Sequence, residues 1–512
     1  MARNYPGFFG DGKGYIINHR QVLDAPGKWH WENGQLWLRA PTDANPNTHR
    51  VEAQVRLWGF DLSGRSHVVL RGLRIQAASV FMAEATNCVV DGCAFRHHAP
   101  WGSHRYGDQT PYNYGGPVDG TSGIHITGLS NRVVNCYVGQ TWGAGVALRG
   151  TCGLVENCLI KDINWQGRQD AAPISGTGFG HRILRNTIHR AAGMGISLVQ
   201  IGDTLVKRPE IRLNHVSDTG RLLVDGGSSG IYLSNHDAPS AERTLDGGII
   251  AFNYIGQVHV ARGNKGFGIC LDDGTDHAVI LHNIVNAGGG IRWAVFLHGN
   301  RHHQENILVV NNTLWGYVDA PDSGGVVSAC WYEGRRTGIV ARNNLAQHRA
   351  YRDLGVTGGS TADHNQDHVP GTEFADAAQG DFRLRRADSA LRHAGVAVAG
   401  IQEDAPGGQP DLGAWAFGEA IGAWSPGSAI QRPVFDNERP ERRRSIRLRD
   451  QVAEPGVQGV RVGGGDESTV HKGAAHARPQ AAAEYLEHRS GLVHRAGHPQ
   501  GRRAPRHVRR AR

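Results

Sequence analysis

Charge, cysteine and long apolar runs are all scarce in this chain. Only 20% of its 512 residues are charged, which suits short buried strands and tight turns better than long helices with solvated outer faces. Seven cysteines, at 88, 93, 136, 152, 158, 270 and 330, are odd in number and include no CxxC pair. Neither a complete disulfide framework nor a zinc ribbon is therefore signalled. No run of about 18 apolar residues marks a membrane span. The opening Met-Ala-Arg-Asn-Tyr-Pro-Gly has no apolar leader core, so the expected location is secreted or periplasmic if a leader is missing from this chain, and cytoplasmic otherwise.

Glycine and histidine are plentiful, at 71 and 28 residues, and an all-β protein is expected. The formal charge of +8 is unevenly placed: residues 431–512 carry 18 Lys and Arg against 9 Asp and Glu, so the first 430 residues are close to neutral. A basic tail without interleaved aromatics is a poor nucleic-acid surface. Neither nucleic acid nor membrane is expected as a partner, and a monomer is expected.

Short runs of one design recur: Gly123-Ile-His-Ile-Thr127, Gly145-Val-Ala-Leu-Arg149, Gly195-Ile-Ser-Leu-Val199, Gly230-Ile-Tyr-Leu-Ser234, Gly268-Ile-Cys-Leu-Asp272 and Ala294-Val-Phe-Leu-His298. A period of two makes each a strand with its aliphatic residues on one face. The opposite face then carries two columns. One is His125, Ala147, Ser197, Tyr232, Cys270 and Phe296; the other is Thr127, Arg149, Val199, Ser234, Asp272 and His298.

A second signature is an Asn after a short apolar run, at 135, 157, 186, 214, 253, 283, 312 and 343, with Asp91 in the same place earlier; successive spacings lie between 22 and 44 residues. Fixed coils with turns free to grow give such spacings. Asn suits a sharp bend because it tolerates the left-handed region and its amide can bond to backbone. Met82 to Asp91, Ile126 to Asn135 and Leu148 to Asn157 are each nine residues apart, so Asn135, Asn157, Asn186, Asn214, Asn253 and Asn283 are expected to stack along one corner. Cys136 and Cys158 follow equivalent asparagines and read as stacked core thiols.

Repeated Gly-Ile-x-Leu followed by x-Ile-x-x-Asn-x-Ile resembles the right-handed parallel β-helix of the pectin-lyase-like superfamily, over roughly residues 61–417. The close of that region, Asp381-Phe-Arg-Leu384 through Pro410-Asp-Leu-Gly-Ala-Trp415, is similar to the ending of bacterial β-helix proteins of this kind. The resemblance implies that the Gly-Ile-x-Leu strands line a substrate groove. The expected organisation is an N-terminal β cap over 1–60, including Gln35–Arg39 and Val51–Val55, a single-stranded right-handed parallel β-helix over 61–420, and a basic, disordered tail over 421–512.

Chemistry concentrates in Gly268-Ile-Cys-Leu-Asp-Asp-Gly-Thr-Asp-His277, with three aspartates in ten residues. Strands about 4.8 Å apart place Asp272 between Ser234 and His298. Enlarged turns surround it: Asp272 to His277, Ser234–Leu245 with His236, 300–305, Asp218 to Asp225 with Arg221, and Gln257 to Phe267 with Lys265. Long loops converging on a rigid face are the usual home of a binding site, and the aromatic insertion Trp101 to Tyr114 supplies a further candidate wall.

Paired carboxylates point to glycoside hydrolysis, with Asp272, Asp273 and Asp225 as candidate acid and base. Neighbouring side chains on a strand diverge, so the pairs Asp272–Asp225 and Asp273–Asp225 are expected rather than Asp272–Asp273. His298 completes the catalytic set, and Arg221, Tyr232, Ser234, His236, Lys265, Arg292 and Phe296 are the expected substrate contacts. No cofactor is required, calcium being the competing use of the Asp-Asp-Gly-Thr-Asp turn.

A lyase is the alternative. Phe296-Leu-His-Gly-Asn-Arg301 resembles the Arg-His-Gly-Asn segment of β-helix alginate and chondroitin lyases, although Leu297 stands where that family has its arginine, leaving Lys265, Arg292 or Arg221 to supply the charge. The Ile-x-Leu-Asp-Asp and His-Gly pattern also resembles β-helix glycoside hydrolases acting on xylan or fucosylated glycans. A non-catalytic glycan-binding β-helix is the third reading; it would spread its contacts along several coils, whereas the aspartates here are grouped.

Overall fold

Period-two alternation produces strands of three to eight residues that pair in parallel with their counterparts one coil away. The structure, a computed structural model, describes residues 19–418 apart from 34, 41, 49–50, 52–55, 57, 100–121, 166–170, 222–226, 236–243, 261–264, 300–303, 330–335, 355–359, 400 and 402–408. Most of the strand expected at 51–55, the insertion 101–114, Cys330 and the tail from 421 fall outside these residues. The parallel sheets belong to the first of two units, Met1–Trp31 with Leu36–Arg447; the second, Glu32–Gln35 with Leu448–Arg512, contributes only Glu32, Asn33 and Gln35 to the described residues.

Three parallel sheets of 11, 10 and 11 strands run the length of the repeat. The first extends from Val69–Arg71 to Ser360–Asp363, the second from Arg74–Gln76 to Leu345–Ala346, and the third from Trp58–Asp61 to Tyr351–Asp353. Each coil visits them in that order, so the fold is the expected all-β, right-handed parallel β-helix, beginning at Trp58. Trp29–Glu32 and Gln35–Leu38 form a separate two-stranded sheet. Inward residues from the three sheets, among them Ile126, Leu148, Ile188, Ile231, Ile269 and Val295, make one continuous aliphatic core. Glycine opens the third-sheet strands for a steric reason. A Cβ on Gly268 would lie 2.5 Å from the Ala294 carbonyl oxygen and 2.5 Å from Val285, and one on Gly195 would lie 2.4 Å from Val216, distances that no real Cβ tolerates.

The corner between the first two sheets carries the asparagines, but in two columns rather than one. The outer column joins Asp91, Asn135 and Asn157: Asn157 Nδ2 donates to Asn135 Oδ1 at 2.7 Å and Asn135 Nδ2 to Asp91 Oδ1 at 2.9 Å. Asn186, Asn214, Asn253, Asn283, Asn312 and Asn344 form a buried inner column, one residue further along the chain. In it, the backbone N–H and Nδ2 of each donate to Oδ1 of the next at 2.8–3.0 Å. The left-handed corner residue itself is Asn at 135 and 157 (φ 57 and 51), Arg185, Leu213, Phe252 and His282 in the next four coils, and Asn again at 311 and 343 (φ 51 and 58), and in the coils from Asn186 on the inner Asn follows it. Cys136 and Cys158 hold the inner place in the early coils. Both are buried, and Cys158 N–H donates to Asn186 Oδ1 at 3.0 Å while Cys136 N–H reaches Cys158 Sγ at 3.4 Å. The thiols are stacked as expected, and they extend the amide column.

After the last coil the chain folds back over the outer face of the second sheet, where Val369, Phe374, Phe382, Leu391 and Trp415 pack on Ile284 and Leu345. His282 bonds through Nδ1 to the Ala414 carbonyl at 2.9 Å.

Two stability measurements follow from this corner. Asn253→Ala strips acceptors from the Asn214 N–H and Nδ2; buried groups left unsatisfied cost about 1–3 kcal/mol each, so urea denaturation should show a loss above about 2 kcal/mol. Asn157→Ala, in the outer column, should lose no more than about 1 kcal/mol, the ordinary net worth of one hydrogen bond; equal losses would contradict the two-column account. Burial also pushes His282 down from 6.5 to about 4, so the unfolded chain takes up its proton first. The stability tied to a neutral His282 is complete above about pH 6.5, and pH-dependent unfolding should show it being lost as pH falls toward 4, with a smaller loss in His282→Phe.

Candidate functional site

The strand Lys265–Asp272 sends Ile269 and Leu271 into the core, which turns Cys270 and Asp272 outward. Register places Asp272 opposite Ser234 on one side and His298 on the other. The same register confirms the first outward column from His125 to Phe296 and the second from Val199 to His298, and it adds a coil that lacks the Gly-Ile-x-Leu signature, Ile174–Gly176, where Pro173 replaces the glycine and Ser175 enters the first column.

Asp272 is the most heavily bonded side chain of the group. Its Oδ2 accepts the Tyr232 hydroxyl at 2.5 Å, its Oδ1 accepts the Asp273 N–H at 2.9 Å and lies in close contact with His298 Nδ1, and Thr275 Oγ1 donates to its carbonyl at 3.0 Å. Its side chain is 22% exposed and that of His298 15%. Burial alone would raise the Asp272 pKa. The hydrogen bond and charge of His298, the Tyr232 hydroxyl and the Asp273 N–H outweigh it and hold the carboxyl below its ordinary value. Asp272 is therefore an ionised carboxylate that orients the His298 imidazole through Nδ1.

Ring stacking fixes the imidazole from the other side. His298 lies 5.1 Å from Phe296 at 18° and Phe296 lies 4.2 Å from Trp293 at 11°. Trp293 Nε1 in turn donates to the Asp322 carbonyl at 2.6 Å. Sequence reasoning missed Trp293 as a support, although an aromatic three residues before Phe296 was the available signal.

Asp273 lies where the strand gives way to a turn, so alternation no longer governs its direction. One ligand atom from each of Asp272, Asp273 and His298 falls within 4.8 Å of the others, so the expectation that the neighbouring aspartates diverge is corrected. An all-oxygen calcium cage does not fit this turn: Asp276 Oδ1 accepts the Glu305 N–H at 3.1 Å, and the Asp272 oxygens face a phenol and an imidazole. One imidazole with two carboxylates is a donor set for a softer divalent ion.

The other expected residues divide. Tyr232, Ser234 and Phe296 point outward but are only 5%, 2% and 2% exposed, because Tyr232, Phe267, Cys270, Trp293, Phe296 and Val327 form an apolar cluster on that face. Phe296 stacks on Trp293, Phe267 and His298, so it offers no face to a sugar, and Tyr232 serves Asp272 instead. Arg292 pairs with Asp322 and precedes the strand that His298 ends, which puts it at the opposite edge of the third sheet. Arg221 lies at that edge too. It pairs with Asp218 at 2.6 Å, and His259 Nε2 lies 2.5 Å from the same carboxylate. Lys265 begins the strand that Asp272 ends, so its backbone also lies across the sheet from Asp272. Asp225, His236 and Arg301 are outside the described residues. Cys270 is inert: burial, then the Asp272 and Asp273 charges, push its thiol well up.

Residues 122–346 match the family model for the right handed beta helix region. That match spans less than half of the chain and agrees with the three stacked parallel sheets of its right-handed parallel β-helix. Among solved structures the chain is similar to the pectate lyase Pel9A, with 13% identity, TM-score 0.36, and coverage of 66% of this chain and 80% of that one. It is also similar to a glycoside hydrolase (13%, TM-score 0.30, 49% and 39% covered) and to the Dettilon tailspike protein gp208 (14%, TM-score 0.29, 58% and 61% covered). No curated protein matches the chain.

Titration of the Asp272 carboxyl, followed by carbon NMR in selectively labelled protein, tests the electrostatics. Tyr232→Phe and His298→Gln each remove a donor that favours the ionised form, so both should move the midpoint up, His298→Gln further. An unmoved midpoint in both variants would contradict the assignment of these donors.

Proposed function

We propose that this β-helix is a carbohydrate-active enzyme that cleaves glycosidic bonds in a polysaccharide by hydrolysis, with Asp272, Asp273 and His298 as its reacting groups. The observation that carries this reading is the convergence of two carboxylates and an imidazole at one end of the outward column, on the sheet that lines the groove in the superfamily. A binder would have no need of a carboxylate held ionised beside a second one.

Each group has a role fitted to its surroundings. Asp272, kept ionised, attacks the anomeric carbon as nucleophile as the bond to the departing oxygen breaks, with the Tyr232 hydroxyl keeping its oxygen oriented. Asp273 supplies the proton to the departing glycosidic oxygen and takes one from the water that completes the reaction. One oxygen of each carboxylate lies within 4.8 Å of the other, which favours the about 5 Å spacing of retaining enzymes over the wider spacing of inverting ones. Asp225 remains the alternative proton donor.

A lyase reading draws on one specific observation, the His298 imidazole oriented through Nδ1 by Asp272, which would serve as the base that removes a proton next to a uronate carboxylate. Against it, Arg221 and Arg292 lie at the far edge of the sheet, engaged with Asp218 and Asp322.

Incubation with a panel of polysaccharides, reading both new reducing ends and the ultraviolet absorbance of unsaturated uronates, tests the reaction. Hydrolysis predicts reducing ends without that absorbance, and Asp272→Asn should cut turnover by about 10²–10⁴-fold with folding unchanged. Unsaturated products would transfer the reaction to the lyase class, and full activity in Asp272→Asn would remove Asp272 from the chemistry.

A further inference from the structure

The inward columns of the β-helix change character at its C-terminal end. On the third sheet, register runs Ile269, Val295, Val326 and Tyr351 in one column and Leu271, Leu297, Ser328 and Asp353 in the next. On the first sheet, Ile280, Val309 and Ala341 lead to Ala362, and Ile339 leads to Ser360. Positions that are aliphatic along the core thus become a phenol, a carboxylate, a single methyl and a hydroxyl in the last coil. Val326, Ser328, Ile339 and Ala341 are fully buried, whereas Asp353 and Ala362 are exposed and Tyr351 and Ser360 half-buried. Among the described residues, Tyr351–Asp353 and Ser360–Asp363 are the terminal strands of their sheets, and each leaves one edge unpaired.

Arg336 closes this end from beneath. It lies opposite Gln304 in the short parallel pair at the corner of the third and first sheets. Its side chain is fully buried and pairs with Asp353, whose side chain is 32% exposed, and its Nη1 also donates to the Ser328 carbonyl at 3.1 Å. An open coil end favours self-association, because unpaired N–H and C=O groups template another strand and aliphatic core residues offer area to bury. A charged pair set into that end reverses the balance. A second molecule seated on the last coil would strip the remaining water from Asp353, and desolvating an ion can cost more than its partner returns.

We infer that the Arg336–Asp353 pair keeps the C-terminal end of the β-helix closed to a second copy of this chain, and that an aliphatic pair in its place would turn that end into an interface. Two like ends meeting form a two-fold contact that closes after one step, so the assembly released is a dimer. This device is independent of glycan cleavage.

Sedimentation velocity over a range of concentrations would compare the full wild-type chain with Arg336→Leu/Asp353→Leu. Exchanging both partners leaves no buried charge unpaired, which is often neutral for folding, and circular dichroism checks that the fold is kept. The wild-type coefficient should not change with concentration, while that of the double variant should rise toward the value of a dimer. Adding Ala362→Lys to the double variant, which puts a new charge on the same end, should return it to a monomer. Ser360→Val/Ala362→Leu enlarges the apolar end but keeps the ion pair, and should remain monomeric.

A double variant that folds and stays monomeric would overturn the inference, as would association that survives Ala362→Lys. Dimerisation of Ser360→Val/Ala362→Leu would show that the pair does not close this end, and that outcome can be read even if Arg336→Leu/Asp353→Leu fails to fold. A wild-type chain that dimerises and is made monomeric by Ala362→Lys would likewise overturn it.

Discussion

The buried amide column at the corner of the first two sheets is the constraint on which the rest depends. A parallel sheet tolerates slippage wherever its side chains are interchangeable aliphatics, and this core is mostly Ile, Val and Leu. An Asn that gives its Nδ2 and backbone N–H to the next Asn, and a further Nδ2 bond to a carbonyl of the preceding coil, permits only one register. A slip of one residue would leave several buried donors without acceptors at every coil. Because the three sheets are joined within each coil, a register set at this corner is also set on the third sheet. It is what brings Asp272 opposite His298.

The cysteine substitution at 136 and 158 shows what the column requires. A thiol can accept a backbone N–H and fill the volume, but it cannot donate twice. In those early coils the outer column of Asp91, Asn135 and Asn157 carries the amide-to-amide bonds instead. The amide-to-amide bonds pass to the inner column between Asn157 and Asn186, and in the last coils both columns carry them, Asn343 to Asn311 outside and Asn312 to Asn344 inside. In sequence that passage appears as a spacing of 29 residues between asparagines against 28 from Cys158 to Asn186.

Much of the fold was legible for the same reason. Alternation and the Asn offset repeat often enough that strand identity, sheet register and both outward columns could be read directly, with Ser234, Asp272 and His298 in consecutive coils. The errors came where a repeat position is not what its neighbours imply. Asn135 and Asn186 look equivalent by type yet differ in backbone conformation, and Ile174–Gly176 lacks the glycine that flags its siblings. The site was legible in part. Pleating says that Phe296 and Tyr232 point outward, but not that Phe296 is stacked against Trp293 and His298, nor that a phenol beside a carboxylate becomes its donor. Asp273 was misread because the strand ends at Asp272. Arg221 and Arg292 were placed near the site by chain proximity, although an extended strand carries them to the other edge of the sheet.

The resulting centre is small: an ionised carboxylate held by three donors, a second carboxylate beside it, and an imidazole fixed between a ring stack and an aspartate. Its most direct test is a crystal structure of the Asp272→Asn chain with a bound oligosaccharide identified from the polysaccharide panel. The account predicts a sugar chain along the outward face of the third sheet, with one glycosidic bond within hydrogen-bond reach of positions 272 and 273. An oligosaccharide bound on the first or second sheet, or at the Asp218 and His259 edge with no bond near position 272, would contradict it.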